Sequence, residues 1–257
     1  MEDVKKFVLT IGGSDPSTHV GVHADLAALA NCGVEALSAV TVITGHDENG
    51  ALTLHPTPAD VLSQQLSSAC RNQKPNAVKI GLLVTQANTR VLVWFLRTLK
   101  PEHVVIDPIL HSSSGIALME KKAVDFYRQQ LLSMATLITP NLQEASMLAG
   151  MQVNTTETMQ TAAKIIYTEL VRFKSDKTLP FYVLIKGGHL EGDPIDVLYG
   201  GKSAILFSGK RFSSEGRRGS GCRFSSALAA SLAKGDDPAV AVKKAKDYMT
   251  DHVYVLS

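Results

Sequence analysis

Cysteine is scarce in this chain: Cys32, Cys70 and Cys222 are the only three among 257 residues. Odd in number and far apart, they build neither a disulfide framework nor a Cys-x-x-Cys metal site. Reduced thiols in a cytoplasm are the expectation. An excess of charge of one sign is missing too, since 26 Lys and Arg stand against 24 Asp and Glu, for a formal charge of +2. That balance offers no electrostatic footprint for nucleic acid and no polybasic tail for a membrane surface. No apolar run reaches the roughly 18 residues needed to span a bilayer, and the run after Lys6 is too short for a signal-peptide core. Two nucleotide signatures are absent as well. No GxxxxGK[ST] loop occurs, and the pair Gly219 and Gly221 fails the dinucleotide pattern because Phe224 stands where its third glycine belongs.

What is present reads as one soluble α/β domain over residues 1–257. The apolar fraction of 45% and charged fraction of 19% are ordinary for a globular enzyme. Short β-rich runs alternate with helical patterns along the whole length, with no repeat or domain-scale linker. Strands are expected at 7–11, 39–44, 77–80, 104–107, 137–139 and 182–186. A hairpin is expected from 195–199 and 204–207 across Gly200 and Gly201. Helices are expected at 24–32, closed by Gly33, at 58–72, at 85–99 capped by Thr85, from Glu144 to Leu148, and at 222–234 and 238–254. Strands joined by helix-length connections imply a mostly parallel central sheet flanked by helices on both faces.

In such folds ligands collect at the C-terminal ends of the strands. Polar residues fall there repeatedly: Ser14 and Asp15, His46, Lys79, Asp107, Asn141 and Glu144, Lys186, His189. The turn Gly219-Ser220-Gly221-Cys222 precedes a helix of small residues. Glycines there expose consecutive N–H groups at a helix N-terminus, a nest suited to phosphate or to the charge of a phosphoryl group in flight. Cys222 at the helix start is expected to favour its thiolate, helped by Arg217 and Arg218, and a thiolate can take a proton from an attacking alcohol. The plainer reading is a glycine turn before a tightly packed helix with a small buried Cys. Asp25 can likewise be a pairing residue on a helix face, and Asn141 with Glu144 a capping box. Cys32 and Cys70, in helical patterns, read as packing.

The chain resembles the hydroxymethylpyrimidine/phosphomethylpyrimidine kinases of thiamine biosynthesis, within the ribokinase-like superfamily that also holds pyridoxal kinases. The blocks that carry the likeness are Gly12-Gly13-Ser14-Asp15-Pro16-Ser17, Lys79-Ile80-Gly81-Leu82, Asp107-Pro108-Ile109, Ser113-Ser114-Gly115, Thr139-Pro140-Asn141 through Glu144, Lys186-Gly187-Gly188-His189 and Gly219 through Cys222. The resemblance implies a ribokinase-like fold and an ATP- and magnesium-dependent kinase. Such a kinase acts on the pyrimidine's hydroxymethyl group and then on the resulting monophosphate. It implies Cys222 as proton acceptor and Gly219, Ser220 and Gly221 as the rest of the anion hole. It places Asn141, Glu144 and Lys186 on ATP, Asp107 and Glu144 near the metal, and Gly13, Asp25, His46, Leu82 and Ile109 at the substrate. A homodimer is the family expectation.

Three departures from the family pattern lie on the substrate side. Its Ser-Gly-Gly-Ala-Gly loop is Ser17-Thr18-His19-Val20-Gly21 here, with less positive-φ freedom and more bulk. Its Ala-Gln-Asn-Thr is Gly45-His46-Asp47-Glu48, so a rigid imidazole stands where a substrate-reading amide is expected. Its Thr-His before the anion hole is Arg217-Arg218, which would favour an anionic substrate. The phosphoryl-transfer blocks are unchanged. A pyridoxal-type kinase and a non-catalytic ligand-binding relative are the competing readings.

Overall fold

A computed structural model of the chain describes residues 5–49, 52–111, 115–209 and 219–253. Its strands are β1 (Phe7–Ser14), β2 (Glu35–His46), β3 (Leu52–Pro56), β4 (Ala77–Ile80), β5 (His103–Ile106), β6 (Leu137–Ile138), β7 (Tyr182–Ile185), β8 (Ile195–Tyr199) and β9 (Ala204–Ser208). They form one sheet in the order β3-β2-β1-β4-β5-β6-β7-β8-β9. The six strands from β2 to β7 in that order are parallel, while β3, β8 and β9 are antiparallel additions at the two edges. The helices are α1 (Gly21–Asn31), α2 (Ala59–Ala69), α3 (Gln86–Leu99), α4 (Val124–Phe126), α5 (Leu142–Ala149), α6 (Thr156–Phe173), α7 (Ser220–Ala233) and α8 (Pro238–Tyr248). The short α4 sits inside an irregular helical passage from Lys121 to Met134.

The two-residue period of the strands divides the core. Leu9, Ile11, Val78, Ile80, Val104, Ile106, Val183 and Ile185 face α2, α3, α5 and α6. Val8, Ala77, Val105, Leu137 and Leu184 face α1, α7 and α8. Burying each such Val, Leu or Ile contributes roughly 1.5–3 kcal/mol. Because both faces are covered, the parallel strands read as continuous apolar runs, which is why the sequence pattern locates them. α7 is so thoroughly enclosed that Ser225, Ser226, Ala229 and Ala230 are all buried, and only small side chains let it lie that close to the sheet.

Two polar residues interrupt the second face. Thr10 and Lys79 occupy the alternation positions that point towards α1 and α7. Both meet Asp25 of α1: Thr10 Oγ1 donates at 2.6 Å and Lys79 Nζ at 2.8 Å to each carboxylate oxygen.

The expected elements are present with shifted ends. α1 begins at Gly21, three residues early, and Pro58 is the N-cap of α2 rather than its first residue. The edge strand β3 was not expected. It pairs antiparallel with β2, with Val42 opposite Pro56 and His46 opposite Leu52, and its alternation of Leu52 and Leu54 with Thr53 and His55 is only five residues long and ends on Pro56. Thr85 does cap α3, accepting from Asn88 N–H. No described helix is long and apolar enough to cross a membrane.

Candidate active site

Parallel strands all end on one edge of the sheet, and there a cavity of about 820 Å3 opens. β1 delivers Gly13 and Asp15, β4 delivers Lys79, Gly81 and Leu82, and β5 delivers Asp107 and Ile109. β6 delivers Asn141 and Glu144, and β7 delivers Lys186 and His189. The first turn of α7 closes the floor with Gly219, Ser220, Gly221 and Cys222.

The turn is shaped by glycine. Gly219 is the N-cap of α7 at φ 84°, and a β-carbon there would strike the carbonyl oxygen of His19. Gly221 looks onto charged groups: a β-carbon would sit 3.4 Å from Lys186 Nζ and 3.5 Å from Asp107 Oδ2. The N–H groups of the first turn of a 14-residue helix therefore face the same space as a lysine and a carboxylate.

Lys186 Nζ donates to Asp107 Oδ1 at 2.6 Å, and Thr139 Oγ1 donates to the same oxygen at 2.9 Å. Burial alone would raise the Asp107 carboxyl, but Lys186, then Lys79, outweigh it and hold the group below its ordinary value. Burial alone would lower Lys186, and Asp107 and Glu144 more than reverse that. Both groups are therefore ionised at neutral pH.

Asn141 and Glu144 cap α5 reciprocally. Glu144 N–H donates to Asn141 Oδ1 at 2.9 Å and Asn141 N–H to Glu144 Oε2 at 2.8 Å. The capping reading and a place in the cavity hold together. Burial pushes the Glu144 carboxyl up to about 7, with Lys186 opposing and Asp107 adding to the rise.

Cys222 requires a correction. Its thiol, 8% exposed, was expected to favour the thiolate at the helix start. Burial instead pushes it above the ordinary thiol value. Lys79 opposes this, Asp25 and Asp107 reinforce it, and a hydrogen bond from Gly21 N–H opposes it weakly. The desolvation of a closed floor outweighs the helix terminus. Arg217 and Arg218, invoked for the same purpose, lie outside the described residues, as do Ser113 and Ser114.

Two expected substrate residues are also placed elsewhere. Asp25 does not line the cavity. It lies fully buried behind Lys79, accepting from Thr10, from Lys79 and from Ser226 Oγ at 2.9 Å. That is the pairing alternative, because a carboxylate taking four hydrogen bonds from three such donors has no further reach. His46 is exposed and absent from the lining, although Leu52, its partner across the β2–β3 ladder, does line the cavity. Gly13, Leu82 and Ile109 do line the cavity.

The sequence reading passed over Thr44 and His111 as site residues and named Asp15 only among the polar residues at strand ends. Asp15 accepts from Thr44 Oγ1 at 2.8 Å and from Ser17 N–H at 3.0 Å, fixing the 15–21 loop at the mouth. Within that loop Thr18 adopts φ 60°, where the family pattern has a glycine. Leu52 and Leu54 of β3 and Val20 add an apolar wall to the cavity.

Magnesium can be tested against these donors. No cluster of three or more His, Cys, Asp or Glu occurs among the described residues. Asp107 keeps Oδ2 turned towards Gly221 while both donors occupy Oδ1, and Glu144 stands across from it. One or two carboxylates beside an anion-binding turn suit a cation that retains waters and takes phosphate oxygens as ligands. The residues fit.

Residues 15–255 match the family model described as phosphomethylpyrimidine kinase. The chain belongs to that family. It is 34% identical over 245 residues to a probable thiamine biosynthetic bifunctional enzyme, chloroplastic, of Oryza sativa subsp. japonica, covering 94% of this chain and 43% of the rice protein. It is 32% identical over 246 residues to the hydroxymethylpyrimidine/phosphomethylpyrimidine kinase of Aquifex aeolicus, covering 95% of this chain and 93% of that one. The chain thus spans under half of the rice relative and nearly all of the bacterial family member. The Bacillus subtilis pyridoxal kinase, solved as an ADP complex, superposes with a TM-score of 0.86 at 32% identity, covering 98% of this chain and 92% of that structure. The fold is therefore that of the family's ribokinase-like kinases.

Proposed function

We propose that this family member transfers the γ-phosphoryl group of ATP first to the primary alcohol of hydroxymethylpyrimidine and then to a phosphate oxygen of the resulting monophosphate. The observation that carries the reading is convergence: the Gly219–Cys222 turn, the Lys186–Asp107 pair and the Asn141–Glu144 box line one cavity. Little covalent work is asked of such a site, and positioning with fixed positive charge supplies most of the catalysis.

In this reading Lys186 and the Asn141 end of α5 hold the nucleotide phosphates. The α7 N–H groups at Gly219 through Cys222 receive the transferring group. Asp107 and Glu144 hold magnesium, which shields phosphate charge when bound. Cys222, first deprotonated, takes the alcohol's proton as its oxygen bonds to the γ-phosphorus. The phosphorus–oxygen bond to ADP breaks and its electron pair leaves with ADP. A homodimer and a cytoplasmic location belong to the same proposal.

The second reading is a pyridoxal-type kinase. It is favoured by His46 lying outside the cavity, which removes the amide-like reader and leaves Val20, Leu52, Leu54, Leu82 and Ile109 to select a flat ring by shape. The test is ADP release with hydroxymethylpyrimidine, its monophosphate and pyridoxal, in wild type and Cys222→Ala. Turnover of the pyrimidines, lost in the variant, is expected. Turnover of pyridoxal alone transfers the assignment to the second reading, and binding without ADP release with any of them removes both.

A further inference from the structure

Below the turn lies a charged pair that the phosphoryl-transfer reading does not use. Lys79 is 1% exposed, yet it lines the cavity. Its ammonium is held by one partner: Asp25 accepts from it with both oxygens at 2.8 Å. Asp25 is itself fastened to β1 through Thr10 and to α7 through Ser226. Ser226 lies four residues beyond Cys222, on the same face of α7. The clamp therefore spans α1, β1, β4 and the helix that carries the sulfur. A buried ion pair of this kind is a poor source of stability, since desolvation offsets most of its attraction. Its link through Asp25 to Ser226, one helical turn beyond the proton acceptor, suggests another use.

Resting on the reading of Cys222 as the acceptor, we propose that Lys79 is its positioning residue: the ammonium, clamped by Asp25 under the first turns of α7, keeps fixed positive charge behind the sulfur and favours the thiolate that the transfer step needs. The charged groups facing Cys222 are Lys79 from β4, Asp25 from α1, Asp107 after β5 and Lys186 after β7, with Gly21 N–H as the one hydrogen-bond donor from the loop. Of these, Lys79 is the strongest in favour of the thiolate and Asp25 the strongest charge against it. Lys79 cannot leave its place or lose its proton easily, because Asp25 more than offsets the effect of burial on it. Asp25 thus has two opposed effects, holding the useful charge and partly cancelling it.

The experiment reads Cys222 itself and needs no substrate. Iodoacetamide alkylation is followed across pH 7 to 10.5 by peptide mass spectrometry, so that Cys32 and Cys70 are resolved separately. In Lys79→Met the Cys222 rate at pH 8 should fall about tenfold, a displacement of about one pH unit, while Lys79→Arg should return most of it. Lys79→Met leaves Asp25 unpaired and can unfold the chain. Lys79→Gln, whose amide still donates to Asp25 without the charge, is therefore the second variant, and it should show the same fall. A folded Lys79→Met or Lys79→Gln with an unmoved profile overturns the proposal. Failure of the underlying reading has a different signature: Cys222→Ala would keep its turnover whatever the alkylation profiles show.

Discussion

The Lys186 ammonium and the Asp107 carboxylate meet at 2.6 Å although 79 residues separate them in the chain. β5 and β7 end on the same edge of the sheet, so both side chains turn into the one cavity. Thr139 at the end of β6, which lies between them, gives Asp107 its second donor. Lys186→Ala should therefore do two things. It should raise the KM for ATP strongly, and it should lower stability by about 3 kcal/mol, because a buried carboxylate loses its counter-charge. Urea unfolding of the ligand-free protein measures the second effect apart from the first.

Glu144 sets a pH dependence whose sign is opposite to that of an ordinary paired carboxylate. Its folded value of about 7 lies above the unfolded carboxyl range, so the folded state binds the proton more tightly. The stabilisation is present at pH 4.5 and is lost as pH rises towards 7 and beyond. Glu144→Gln keeps an acceptor for Asn141 N–H and removes the titration. The variant should gain on wild type by about 2 kcal/mol between pH 5 and pH 8. Unfolding free energies at the two pH values, compared between the proteins, decide it.

The two glycines of the turn should respond differently. Gly219→Ala forces a β-carbon onto the His19 carbonyl at a left-handed backbone position, and a loss of about 2 kcal/mol or more with no detectable turnover is expected. Gly221→Ala meets Lys186 and Asp107 at ordinary contact distance inside a helix. Its melting temperature should stay within a few degrees of wild type while ADP release drops, because the added methyl occupies the phosphate space.

Thr18 at φ 60° is a β-branched residue in a conformation that suits glycine. Thr18→Gly should relieve about 1 kcal/mol of strain and raise the melting temperature. A fall in melting temperature would show that the hydroxyl or methyl is holding the loop instead.

His46→Gln changes an exposed residue outside the cavity lining. The KM for the alcohol should change less than twofold, read from ADP release under saturating ATP.

What the sequence discloses depends on how local the relationship is. Asn141 with Glu144, the Gly219–Cys222 turn and the Thr85 cap are written within four residues, and each is where its pattern puts it. The parallel strands were legible because burial on both faces leaves an unbroken apolar run. The clamp around Lys79 was not legible. Asp25 is 54 residues from Lys79 and 201 from Ser226, and a carboxylate in a helical pattern carries no mark of a partner so far away. The Cys222 thiol misled for a related reason. The helix start that favours a thiolate is visible in the sequence, but the depth at which the fold sets that start is not. The edge strand β3 was unseen, so the sequence did not disclose that Leu52 and Leu54 line the cavity while His46 stays exposed beside them.

The contact between His19 and Gly219 has a consequence for how this protein can change. The 17–21 loop, one of the three departures from the family pattern, leans its backbone on the 219–222 turn, and its last residue, Gly21, hydrogen-bonds the sulfur. Ligand preference and turnover are thus mechanically geared together, so a transplanted 15–21 segment from a relative should work only when the 219–222 turn travels with it.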